Sequence, residues 1–458
     1  MLIKKSRRIF LVGIVLLLFF STFVFSGCVK QKKQLYEMNL EVWGIFDDSD
    51  TFYEINKQYQ KLNPQIKNIT YKKISNDITG YEEELTDAIA SGNGPDIIFF
   101  GNNWLSEHKN KVVSLPGSEE YIDTFEKSFV DIAEEDFVEE NQIYAMPLYC
   151  DTLALFYNKD LFNQAGLTAP PETWQEVLDY VDYLTQTDSN GNIIQSAIAL
   201  GRSKNPGGIN RSSDILTLMM MQAGVTIYDK TSGRVEFAGN SKSISALDFY
   251  TQFALAGSKA YTWNSTMDYS IDAFKSGKTA MMVNYAYWKN RLKEESPKLN
   301  FDTSPVPQGD LDNKINFANY WGLAVVKNKQ LQPAQSDQAI TFTQQDRINE
   351  AWNYIKYVTT SPAFSENVAS FEFDPTEKYL ENTSKPAARK DLIEKQKSDP
   401  DLKEFAVQAL TAKSWAQPKN LVVEEIFIEM INDVVSGSKT SREALNSAST
   451  RINNLIHE

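Results

Sequence analysis

Cysteine and histidine are nearly absent: the 458 residues hold only Cys28 and Cys150, His108 and His457. Two cysteines build neither a disulfide framework nor a CxxC metal site. Two histidines exclude a histidine-rich metal centre. No catalytic constellation built on cysteine or histidine is expected, no motif marks a catalytic pair of acids, and no metal or cofactor site is expected. Basic charge is short too, with 46 Lys and Arg against 60 Asp and Glu, a formal net charge of -14. Four of the basic residues, Lys4, Lys5, Arg7 and Arg8, crowd the extreme N-terminus, which leaves 42 for the rest of the chain. A body that acidic repels phosphate backbones, which argues against nucleic acid as a partner. Internal repeats and long low-complexity tracts are missing as well.

The chain is too long for one hydrophobic core, so two or three domains or lobes are expected. Its 42% hydrophobic and 23% charged residues describe a globular body. The N-terminus carries the sharpest local signal. A basic MLIKKSRR precedes a mostly apolar run from Ile9 to Phe25, then Ser26-Gly27-Cys28. That order describes an export signal over residues 1–27, and its ending resembles the lipobox of bacterial lipoproteins. The resemblance implies cleavage before Cys28, lipidation of Cys28 and a lipidated tether over 28–38. An uncleaved membrane helix is the competing reading. Both place the remainder outside the cytoplasmic membrane.

Along the chain, strand and helix patterns alternate. Leu40–Trp43 and Ile69–Ile74 alternate apolar and polar residues, Thr51–Leu62 and Tyr81–Ala90 have helical spacing, and Asp96–Phe100 is a short apolar run. Alternation of this kind implies doubly wound α/β sheets. Ligands on such sheets bind at the carboxyl ends of the strands, where this sequence carries Asp47, Asp48, Asn102, Asn103 and Trp104. Asn141–Phe162 turns at Pro147 and runs into an apolar strand over Thr152–Tyr157, with Asp151 just before it. Thr173 and Glu176 have capping-box spacing. Asp188–Asn192 lacks the ligand spacing of a calcium loop and reads as a turn. Gln330–Arg347 reads as an exposed polar loop and Phe371–Pro386 as irregular. Glu82–Glu84 and Glu134–Asp136 read as solvated helix faces.

Several blocks carry a resemblance: Gly94–Phe99, Met146–Leu148 running into Asp151–Phe162, Pro171–Trp174, the FKSGKTAMMV of Phe274–Val283, and Trp321–Val325. In order and spacing they resemble family 1 of the extracellular solute-binding proteins of bacterial ABC importers, the sugar-binding group that includes maltose-binding protein. The resemblance implies two doubly wound α/β lobes joined by three crossing segments, the type II periplasmic-binding-protein-like fold. Lobe I would take 39–147 and 315–383, lobe II 148–314 and 384–458, with crossings near Pro147–Asp151, Ser304–Asn316 and Tyr379–Pro386. A carbohydrate, specifically an oligosaccharide, would bind between the lobes. Position by position, the ligand-binding residues implied are Trp43, Asp47, Asp48, Phe100, Asn103, Trp104, Asp151, Tyr287, Trp321 and Trp415. Asn284–Trp288 and Asn319–Trp321 match aromatic-bearing cleft segments. The partners implied are the transmembrane subunits of an ABC permease, with the protein itself a monomer held to the membrane by its N-terminal lipid.

The chemistry fits this reading. Carboxylates and amides pair with sugar hydroxyls, and flat aromatic rings pack on the apolar faces of sugars. Trp174 and Trp352, on helices, read as core. Two other classes stay open: an exported enzyme acting on glycans, which needs a pair of carboxylates at a fixed separation, and a surface sensor handing a solute to a signalling partner.

Overall fold

Ile97–Gly101 and Asp151–Asn158 are the strands on which the two halves of the molecule assemble. Every residue of the first is buried, and in the second all but Tyr157. Strands apolar on both faces need helices on both sides, and each of these lies inside such a sandwich. The computed structural model describes residues 37–116, 119–331, 342–360 and 373–456. The expected signal peptide, Cys28 and the tether up to Tyr36 lie outside the described residues. Met38, expected in the tether, instead opens the first strand, paired with Ile66. No described helix is long and apolar enough to cross a membrane.

The first sheet runs Ile66–Lys73, Met38–Gly44, Ile97–Gly101, Trp321–Val326, Val112–Val113. Its first three strands are parallel and Trp321–Val326 is antiparallel to them. The second runs Gln186–Thr187, Ile193–Ile198, Thr279–Tyr285, Asp151–Asn158, Asn316–Asn319, Ala412–Lys413, with Phe301–Pro305 also on Asp151–Asn158. Each sheet sits in its own apolar core. The molecule is thus two α/β lobes, as expected.

The two cores divide the chain a few residues later than the expected boundaries. Leu148, Tyr149 and Cys150 pack in the first core and Leu153 in the second. Phe317 belongs to the second and Ala318 to the first. Ala387, Ala388, Leu392 and Ile393 stay with the first core, beyond the boundary expected at 384. The third crossing is the helix Lys403–Ala409, whose Phe405 faces the second core while Ala406 and Ala409 touch the first. The crossings are held side by side: Thr152 and Asp151 pair with Ala318 and Asn319, and Asn316 and Phe317 with Ala412 and Lys413.

Local signals were read well where a side chain closes its own turn. Thr173 and Glu176 form the capping box of Trp174–Leu184, Asp188 accepts from the backbone of Asn190 and Asn192 in a turn, and Trp174 and Trp352 are buried. Two segments differ. Gln344–Arg347 is the first turn of the helix Gln344–Thr359, capped by Thr343 and Asp346, and not part of a loop. Its Arg347 is buried against Asp96 and donates to the Val326 carbonyl at 2.7 Å. Pro375–Thr383 is a helix inside the stretch read as irregular. Asp374 caps it with bonds from the amides of Thr376 and Glu377, and Pro375 takes the first turn, where its missing N–H costs nothing.

Candidate functional site

The lobes meet along one rim of the cleft. From lobe I come Asn103, Ser106, Glu107, Glu135 and Asp136; from lobe II come Lys413, the segment after it, and Lys230, which donates to the Glu135 carbonyl at 3.1 Å. Gln417 lies 3.5 Å from both Asn103 Nδ2 and Ser106 Oγ, the Lys419 amide donates to Glu107 at 3.1 Å, and Lys413 pairs with Glu135 at 3.1 Å. Behind this rim lies a narrow pocket open to solvent, walled by Asn102 and Asn103 on one side and by Arg211, Asp214, Trp415 and Glu424 on the other.

Asn102 and Ser414, which both line the pocket, are tied together by Asp136. Asn102 and the Tyr320 hydroxyl donate to its Oδ2 at 3.2 and 2.7 Å, and Ser414 of lobe II donates to Oδ1. Glu134–Asp136 is therefore not simply a solvated face. The helix turns Asp136 inward, and burial pushes its carboxyl up to about 6, against the three hydrogen bonds that favour the anion.

The lobe II wall begins at Arg211, which has φ 59° and ψ 29° just before the helix Ser212–Gln222. Its guanidinium lies over the Tyr285 ring, 5.6 Å from the centroid, and 3.9 Å from Asp214. The Tyr285 hydroxyl donates to Asp214 at 2.8 Å. Asn284 donates to Asn210, which donates to Tyr269. Burial raises the carboxyls of Asp214 and Glu424, with Arg211 pulling each back.

Of the ten residues expected to bind ligand, only Asn103 and Trp415 line this pocket. Trp415 is 6% exposed, with its indole N–H unpaired. Trp43, Phe100, Trp104 and Trp321 are buried in the lobe I core. Trp104 stacks on Tyr81 and meets Trp321 edge-on at 5.0 Å, and Phe100 packs edge-on against Trp104. The Trp43 indole donates to Glu41 at 2.8 Å. Trp104 and Trp321, expected to bind ligand, instead pack in the lobe I core, and the exposed Phe46 covers Trp321 edge-on at 5.7 Å. Asp47 is tied inside lobe I by Tyr379 at 2.7 Å and Lys385 at 2.5 Å. Asp48 is exposed and pairs with Lys73 at 3.1 Å. Tyr287 is 37% exposed and stacks beside Tyr285.

Asp151 has a structural task. Its two oxygens accept from the amides of Ala286 and Tyr287 at 2.9 and 3.4 Å, which caps the helix Tyr287–Glu295 from another strand. Burial pushes its carboxyl up to about 7 despite those amides.

Sequence reasoning missed Arg211, Asp214, Glu424 and Gln417. Nothing local marks them, because each reaches the cleft only through the packing of lobe II. Among the described residues, Glu82, Glu107 and His108 are close enough to hold a metal ion. The Lys111 ammonium lies 3.0 Å from His108 Nδ1 and Glu82 lies 3.1 Å from His108 Nε2, so both ring nitrogens already face protein neighbours.

A family model described as bacterial extracellular solute-binding protein matches residues 45–363. The chain is 25% identical over 344 residues to the maltodextrin-binding protein of Bacillus subtilis (strain 168), covering 72% of this chain and 71% of that protein. It is 22% identical over 326 residues to the maltotriose-binding protein of Pyrococcus abyssi (strain GE5 / Orsay), covering 70% and 62%. The crystal structure of cyclic alpha-maltosyl-1,6-maltose binding protein from Arthrobacter globiformis superposes with a TM-score of 0.70 at 16% identity, over 92% of this chain and 99% of that one. That likeness is one of fold, the two-lobed periplasmic-binding-protein-like architecture of type II.

Proposed function

The chain belongs to the bacterial extracellular solute-binding proteins, and from that premise we propose that it captures a carbohydrate between its lobes and hands it to an ABC permease. The observation that carries this reading is the inter-lobe pocket, where amides, carboxylates and an indole converge from both lobes. Hydroxyl groups both donate and accept, and they match such a wall. A ligand drives closure only by binding the closed form better than the open one. Moving a population from mostly open to mostly closed takes on the order of 5.5 kcal/mol of differential affinity. One hydrogen bond to a charged group gives roughly 1.5–3 kcal/mol, so contacts from both lobes must cooperate. An oligosaccharide long enough to touch Asn103 and Trp415 together supplies them.

In the same reading the protein acts as a monomer, without turnover, on the outer face of the membrane, held there by lipid on Cys28. Asp214 is committed to Tyr285 and Arg211, and Asp136 to three donors, which leaves Glu424 without a second free carboxylate to form a glycosidase pair. A thermal-shift screen of the full-length chain in detergent against sugars tests the proposal. A ligand at 100 times its Kd adds about 2.7 kcal/mol of stability. A screen in which no saccharide raises the melting temperature counts against carbohydrate, and release of sugar from a bound glycan would restore the enzyme reading.

A further inference from the structure

The lobe II wall has an uneven charge and hydrogen-bond inventory. Arg211 is its one cation and Asp214 and Glu424 are its two carboxylates, while the facing lobe I wall offers the neutral amides of Asn102 and Asn103. Arg211 is held in the left-handed backbone region, a strained state for a side chain with a Cβ and one that collects at ligand sites. Two buried donors on this wall have no acceptor: Arg211 Nε and Trp415 Nε1, the latter on a residue only 6% exposed. Both residues line the pocket. Asp214 already stands 3.9 Å from the guanidinium, and Glu424 feels Arg211 only through space. The wall therefore offers unpaired donors and a spare acceptor, with its positive charge already matched.

We propose that this wall selects a neutral polyhydroxyl ligand and turns away anionic glycans such as uronates, with Glu424 the residue that enforces the choice. The inference rests on the carbohydrate reading above and adds charge selectivity to it. A pair of neighbouring hydroxyls accepts from Arg211 and Trp415 and donates to Glu424, which leaves every group paired. A ligand carboxylate only accepts. It would satisfy the donors but leave Glu424 without one, and it would set a further negative charge beside two others in a space partly cleared of water.

The test is calorimetry on the full-length chain in detergent, near neutral pH, against neutral and uronate oligosaccharides matched in length. Maltotriose, mannotriose, cellotriose and trigalacturonate form its core. The neutral sugar that binds best is expected to exceed trigalacturonate by at least about 100-fold, since like-charge juxtaposition is costly at an interface. Glu424→Gln should narrow that gap by about tenfold or more by removing one repulsion. Asp214→Asn is the second variant, with the same direction expected. Arg211→Lys, which keeps the charge but loses the planar fork, should weaken the neutral sugar. Trigalacturonate binding as tightly as the best neutral sugar overturns the charge rule and leaves the carbohydrate reading standing. A gap that neither Glu424→Gln nor Asp214→Asn moves overturns the assignment to this wall. Silence toward neutral and acidic saccharides alike overturns both readings.

Discussion

Asp151→Ala separates a cleft acid from a structural cap. As a ligand acid, Asp151 would lower sugar affinity on substitution and leave stability alone. The structure gives it a different load: its carboxylate holds the N-cap amide of Ala286 and the first amide of the helix Tyr287–Glu295, at 2.9 and 3.4 Å, from the point where the chain crosses between lobes. Removing an acceptor leaves a buried N–H unsatisfied, at about 1–3 kcal/mol each. The longer bond is the weaker one, so the total expected is about 2–4 kcal/mol, with a further loss of up to about 1 kcal/mol from the charge–dipole interaction at the helix N-terminus. Urea unfolding without ligand, at a pH above the raised carboxyl value, reads this directly. Asp151→Asn, which keeps one carbonyl acceptor, should recover part of the loss. An unfolding midpoint for Asp151→Ala equal to that of the wild type, together with weakened sugar binding, would refute the capping role and return Asp151 to the ligand.

Four further outcomes are expected. Asp136, raised to about 6 by burial, binds its proton more tightly folded than unfolded. That contribution to stability is full below about pH 4 and lost as pH rises through about 6, on the order of 3 kcal/mol. Asp136→Asn should flatten the melting temperature across that window, and a profile identical to the wild type would exclude this source. At Gly44 a Cβ would lie 2.0 Å from the Tyr71 hydroxyl oxygen, on a ring stacked against Phe52, so Gly44→Ala should destabilise by about 1–3 kcal/mol in thermal melts; a wild-type melt would show that the ring has room to move. Arg389 binds Asp374 and Asp391 with its guanidinium buried, so Arg389→Ala should cost about 3–5 kcal/mol in denaturant unfolding by stranding the largely buried Asp374, while the half-exposed Asp391 turns to water, a loss that high salt should leave largely in place. Cys28→Ala should abolish incorporation of labelled lipid in cells, and label retained on the variant would end the lipoprotein reading.

Some of this was legible in the residues because the physics is short-ranged. A capping box closes within one turn, so Thr173 and Glu176 announced their helix. An apolar run bounded by turns, as at Ile97–Gly101, announces a strand buried on both faces. The order of such elements implied doubly wound α/β sheets, and the family resemblance implied that they form two lobes. Pro375–Thr383 was legible too, through Asp374-Pro375, and was missed because the flanking residues show no apolar period.

The cleft was a different matter. An aromatic at a strand end lies over the core or over the ligand according to what stands across from it, and Trp104 is claimed by Tyr81 and Trp321, far away in the chain. Asp151 and Asp136 look alike as exposed acids in one dimension; one caps a helix of lobe II, the other ties Asn102 to Ser414. Arg211 has no sequence mark at all. Asp214 is its neighbour three residues on, but Tyr285 and Glu424 reach it only when the second lobe folds around its sheet. What the sequence determined by itself was set by neighbours a few residues apart: caps, strands and their order. Which side chains face the pocket, and with what charge, was decided by the tertiary structure, because burial and pairing depend on groups that only folding brings within a few ångströms.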